Sequence, residues 1–103
     1  MSKRLAFLEN LTTVGASKDP MAWYGLAMEY RTLERFDESL KAFETLRAQN
    51  PEYVAMYLMC GDVLSKLARK DEARAWYEAG IAAAKAKGDA HALGELESAL
   101  AGL

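Results

Sequence analysis

The chain of 103 residues holds one cysteine, two prolines and one histidine, and each scarcity excludes something. The lone thiol, Cys60, rules out an intramolecular disulfide and fits a reducing compartment, so a cytoplasmic location is expected. With His91 as the only histidine, no His pair is available to a metal site within one chain, and no metal or cofactor is expected. Pro20 and Pro51 fall between apolar segments, and β-branched residues are sparse, so strands are not expected. Long apolar runs are missing too. The opening MSKRLAFLENLTT is interrupted at Glu9 and Asn10, so neither a signal-peptide core nor a membrane span is expected. Nor does one sign of charge dominate: the formal net charge is −2, without the coherent basic surface that nucleic-acid binding requires. The densest basic run, Lys66, Arg69 and Lys70, is followed at once by Asp71 and Glu72. That order suits the C-terminus of one helix and the N-terminus of the next, where cations and anions respectively meet the helix dipole.

What is present favours helix. The chain is 51% hydrophobic and rich in Ala, Leu, Glu, Lys and Arg, a length and composition for one all-α domain. Within AWYGLAMEY (residues 22–30), Trp23, Leu26, Ala27 and Tyr30 form one apolar stripe at helical spacing. Met21, Tyr24 and Met28 form a second stripe beside it. An ordinary surface helix needs only one.

Self-similarity organises the rest. Displaced by 34 residues, WYGLAMEYRTLERFDESLKAFETL lies over YLMCGDVLSKLARKDEARAWYEAG without a gap. Trp23 meets Tyr57, Leu26 meets Cys60, Ala27 meets Gly61, Ser39 meets Ala73 and Phe43 meets Tyr77. On these residues the chain resembles the tetratricopeptide repeat family, whose unit is a pair of antiparallel helices. The signature is carried by Trp23, Leu26, Ala27, Tyr30, Ser39, Phe43 and Pro51 in the first repeat. Tyr57, Cys60, Gly61, Leu64, Ala73 and Tyr77 carry it in the second. The resemblance implies a right-handed superhelix of about six helices, with repeats over 20–53 and 54–87. A flanking helix over 2–15 and a closing helix over 89–101 complete a single domain, 1–103. Small residues at 27 and 61 are expected to let helices approach, with aromatics filling the space between them.

The second repeat departs from the pattern at Lys85, where the closing proline would stand, so its last helix should run on to Lys87 and stop at Gly88. Gly80, inside that helix, costs about 1 kcal/mol relative to alanine. A close contact with the C-terminal segment would offset it. At the N-terminal end, Leu5, Leu8, Leu11 and Val14 are expected to share one stripe ended by Gly15; at the other, Asp89 should cap a helix carrying Leu93, Leu96, Leu100 and Leu103 on one side.

Catalytic patterns are absent from the sequence. His91 reads as a surface residue near a helix start, and Cys60 as a packing residue on an inner stripe. Gly25, Gly61 and Gly80 fall inside helices, so no glycine-rich phosphate loop is formed. The chain is therefore expected not to be an enzyme. The resemblance implies that the first helix of each repeat lines a concave face, with Met21, Tyr24, Met28 and Arg31 from one and Leu58, Asp62, Ser65 and Lys66 from the other. A protein or peptide partner would bind there. The alternative is that a terminal helix covers the second stripe. The basic, Asn-bearing clamp that repeats of this type use for chaperone C-terminal tails is not met, because Tyr24, Met28, Leu58 and Asp62 occupy the relevant positions. Three roles stay open: an adaptor, a homo-oligomerisation module, and an accessory subunit of a larger complex.

Overall fold

In the computed structural model, which describes residues 2–15 and 17–103, six α-helices and one π-helical turn follow one another, with no strand among the described residues. Helix α1 spans Lys3–Glu9 and runs directly into the π-helical turn Asn10–Val14. Then come α2 (Pro20–Thr32), α3 (Phe36–Gln49), α4 (Ala55–Lys66), α5 (Lys70–Lys87) and α6 (Ala90–Ala101). The chain divides into two compact units, Met1–Asn50 and Pro51–Leu103. Each is built on a helix pair, α2 with α3 and α4 with α5, joined by a three-residue turn.

Local chemistry sets the helix ends. Asp19 accepts a hydrogen bond from the Met21 amide (3.0 Å) and Pro20 takes the first position of α2, where its missing N–H is not needed. Ser2 caps α1 through the Leu5 amide (3.2 Å), and Asp89 caps α6 through the Ala92 amide (3.0 Å), as its sequence position predicts. Helix α5 runs to Lys87 and stops at Gly88, which adopts a left-handed conformation with φ 69°. The two turns within the pairs repeat one another in detail. Glu34 and Ala68, 34 residues apart, both have φ 59°. Arg35 grips Glu38 through two short contacts (2.6 Å each), and Arg69 grips Glu72 in the same way (2.9 and 2.7 Å).

The first unit packs α2 against α3 around buried Leu26, Ala27, Tyr30, Phe43 and Leu46. The Ser39 hydroxyl donates to the Ala27 carbonyl (2.8 Å), which satisfies a buried polar group between the two helices. On the other flank of α2 lies α1. Leu8 sits over Gly25, where an added Cβ would come within 3.3 Å of it. Ser2 donates to Glu29 (2.8 Å), Arg4 reaches the same carboxylate (3.4 Å), and the Tyr30 hydroxyl donates to Glu9 (2.5 Å).

The N-terminal stripe differs from the sequence expectation. Leu5 and Leu8 are buried, but Leu11 is 39% exposed and Thr12 is buried in its place, its hydroxyl donating to the Leu8 carbonyl (2.8 Å). The cause is the π-helical turn. Widening the backbone to an i to i+5 hydrogen bond advances the inward face by one residue, which turns Leu11 out and Thr12 in. The side chain of Val14 lies outside the described part of the structure.

In the second unit, α5 and α6 pack beside α4. The Tyr77 ring lies against Gly61 so closely that a Cβ there would come within 2.3 Å of it. Gly80 takes the contact anticipated from the C-terminal segment: a Cβ would come within 2.5 Å of the Tyr57 side chain and 2.8 Å of Leu96. Leu96 is the buried member of the α6 stripe, while Leu93, Leu100 and Leu103 are half-buried.

Candidate functional site

The two rows expected to meet a partner lie in different units. In the first, the flanks of α2 are occupied by α3, through Ala27, and by α1, through Gly25 and Glu29. The row Met21, Tyr24, Met28 and Arg31 runs between those flanks. Met21 is 71% exposed, Tyr24 and Met28 are half-buried, and the Tyr24 ring meets Phe43 edge-on (6.4 Å between centroids). Tyr24 therefore packs as well as faces outward. The contacts of α1 with α2 include Gly25, Glu29 and Tyr30. Arg31 is half-buried, and its Nε is buried with no hydrogen-bond partner among the described residues. A buried donor left unpaired costs about 1–3 kcal/mol.

In the second unit, Leu58 and Asp62 line an open groove of about 680 Å³ whose other wall is α6, with His91, Gly94, Glu95 and Ser98. Ser65 is half-buried and Lys66 exposed in the last turn of α4; neither lines the groove. The Tyr77 hydroxyl donates to Asp62 Oδ1 (2.5 Å). Burial above all, then that bond and the charge of Asp62, push the phenol well above its ordinary range, so it stays a neutral donor to a charged carboxylate. His91 is 89% exposed and lies 3.4 Å from Glu95.

The α6 wall was not legible from the repeat. The groove brings Leu58 and Asp62 of α4 together with Gly94 and Ser98 of α6. Helix α5 is longer than α3, 18 residues against 14, and the turn after it is shorter. The available signal was the Leu93, Leu96 and Leu100 stripe, whose opposite face is this wall.

Most signature residues are core: Leu26, Ala27, Tyr30, Phe43, Tyr57, Gly61, Leu64, Ala73 and Tyr77 are buried. Two sit differently. Trp23 is half-buried and its indole N–H donates to the Ser17 carbonyl (2.7 Å). Pro51 is exposed in the turn before α4, where its carbonyl accepts from the Tyr57 hydroxyl (2.5 Å). Cys60 is buried. Among the described residues there is no cluster of side chains suited to a metal ion, and no helix is long and apolar enough to cross a membrane.

These helix pairs define a class of repeat scaffold. A tetratricopeptide repeat family model matches residues 24–90, and the chain belongs to that family. The crystal structure of a tetratricopeptide repeat domain protein from Salinibacter ruber is 34% identical, covering 80% of this chain and 91% of that one with a TM-score of 0.75. Its solution structure superposes with a TM-score of 0.76. A Bordetella parapertussis protein, also solved in solution, is 26% identical and covers 97% of this chain and 86% of its own, with a TM-score of 0.82. No curated protein matches the chain. Proteins of this family are in general non-enzymatic scaffolds, and the fold is that of a protein–protein interaction module.

Proposed function

We propose that the chain is a non-enzymatic adaptor that takes a helix or extended peptide of a partner protein on the first-helix faces of its repeats. In the first unit that face is Met21, Tyr24, Met28 and Arg31; in the second it is Leu58, Asp62, Ser65 and Lys66. The observation that carries the reading is on α2: a 71% exposed Met21 on the same row as the half-buried Tyr24, Met28 and Arg31. Exposed apolar side chains beside a cationic one form a surface of the kind that a partner's peptide engages. Chemistry is assigned to the partner, and the buried thiol Cys60 fits a reducing, cytoplasmic setting.

The test is affinity capture from cells that express the chain, comparing wild type with the double variant Met21→Asp/Arg31→Gln. The expected result is loss of the co-purifying protein with stability within about 1 kcal/mol of wild type. A variant that loses several kcal/mol would make the row core and remove the site. Tyr24 is the poorer probe, because its contact with Phe43 mixes binding with folding.

A second reading, self-association, is favoured by α1. Phe7 of α1 (63% exposed) and Leu11 of the π-helical turn that continues it (39% exposed) both reach the surface. A dimer through that face would show a melting temperature that rises with protein concentration.

A further inference from the structure

Gly94 has no reason within its own unit to be glycine. It lies inside α6, where glycine weakens a helix relative to alanine. Its φ is not positive, so no left-handed turn requires it. A Cβ placed there meets nothing within 4 Å, whereas at Gly61 and Gly80 the same atom would strike Tyr77 and Tyr57. Close approach of a ligand is a remaining reason for glycine at an open helix position. Gly94 lines the α4–α6 groove.

The groove also states the charge of its occupant. Its carboxylates are Asp62 and Glu95, with His91 3.4 Å from Glu95, and no lysine or arginine lines it. Tyr77, itself buried, donates to one oxygen of Asp62 and so holds that carboxylate in place, leaving the other oxygen for a donor. Leu58, Ala90 and Ala99 supply apolar surface beside the carboxylates. Long cationic side chains fit such a surface, with an aliphatic stem on the apolar part and the head on the acids.

We infer that the α4–α6 groove receives a lysine- or arginine-bearing segment of the partner protein. The segment's backbone passes over Gly94 and a cationic head group reaches Asp62 and Glu95. This rests on the adaptor reading and specifies the chemistry of the partner at the second unit.

The test uses the full chain, labelled with nitrogen-15, titrated with three capped peptides of one Ala/Leu framework carrying Lys, Glu or Gln at the same positions. The Lys peptide is expected to shift the amide signals of Leu58, Asp62, Gly94 and Glu95. It should bind roughly tenfold or more tightly than the other two. Asp62→Asn/Glu95→Gln should lower its affinity by a similar factor, while the side-chain carbonyl introduced by Asp62→Asn still accepts from Tyr77. Gly94→Met should abolish binding yet melt at or above wild type, because methionine is the better helix former and its Cβ meets no neighbour. No shift with the Lys peptide, or binding indifferent to Gly94→Met, overturns the inference. Equal binding of the Gln or Glu peptide overturns the charge assignment. None of these failures touches the capture experiment on Met21 and Arg31, which decides the adaptor reading separately.

Discussion

At the scale of the residue, two phenols tie segments together by donating to carboxylates, Tyr30 to Glu9 and Tyr77 to Asp62. Burial first, then the bond to Glu9 and its charge, raise the Tyr30 phenol to about 12. A phenol whose folded value exceeds its unfolded value contributes stability that is complete below about 10 and is lost as pH climbs toward about 12. Tyr77 is raised in the same direction and for the same leading reason, burial. The melting temperature should therefore fall on the alkaline side, and Tyr30→Phe should make that fall shallower. Equal slopes for variant and wild type over this range would show that the Tyr30 proton is not linked to folding.

At the scale of the element, the turns inside the helix pairs carry a cost that the repeat has kept twice. Glu34 and Ala68 hold φ 59° without being glycine or asparagine. The left-handed conformation costs a residue with a Cβ roughly 1–2 kcal/mol, part of which glycine recovers and part of which it returns through a freer unfolded chain. Ala68→Gly is expected to stabilise the second pair by about 0.5–1 kcal/mol in urea denaturation, and Glu34→Gly the first by a similar amount. A loss in either would mean that the side chain, and not the turn, sets the local stability. The π-helical turn is the opposite case, an irregularity that the leucine spacing conceals. The stripe through Leu5, Leu8 and Leu11 reads as regular helix, and only the added backbone width puts Thr12 in the core.

At the scale of the whole molecule, the C-terminal helix closes the second unit. Leu96, 1% exposed, sits against Gly80 with Tyr57 beside it, and removing α6 would uncover that side of Gly80 and Tyr57. A single buried Leu→Ala change costs about 2–5 kcal/mol, and deleting 89–103 removes that side chain and the whole α6 surface with it. Since small domains are stable by only about 5–15 kcal/mol, the truncated chain is expected to lose the fold of the second unit or aggregate. Circular dichroism and thermal melting decide this. A soluble truncation with an undiminished cooperative melt would show that α4 and α5 suffice.

The sequence by itself determined the helix pairs, their caps and their partners in packing. A 34-residue recurrence of small and aromatic residues specifies which faces must meet, and Asp89 and Gly88 specify where helices begin and end through their own local bonds. Three things were decided only in the folded chain. The π-helical turn exchanged Leu11 for Thr12, because backbone hydrogen bonding, and not side-chain spacing, sets the helical pitch. Arg31 Nε became a buried, unpaired donor, since burial depends on neighbours from other helices. The α6 wall, with Gly94 and Glu95 across the groove from Asp62, came from the packing of α6 beside α4 and α5. Periodicity dictates which side of a helix is apolar; what stands across a groove from it depends on helix lengths and packing that no short-range pattern encodes.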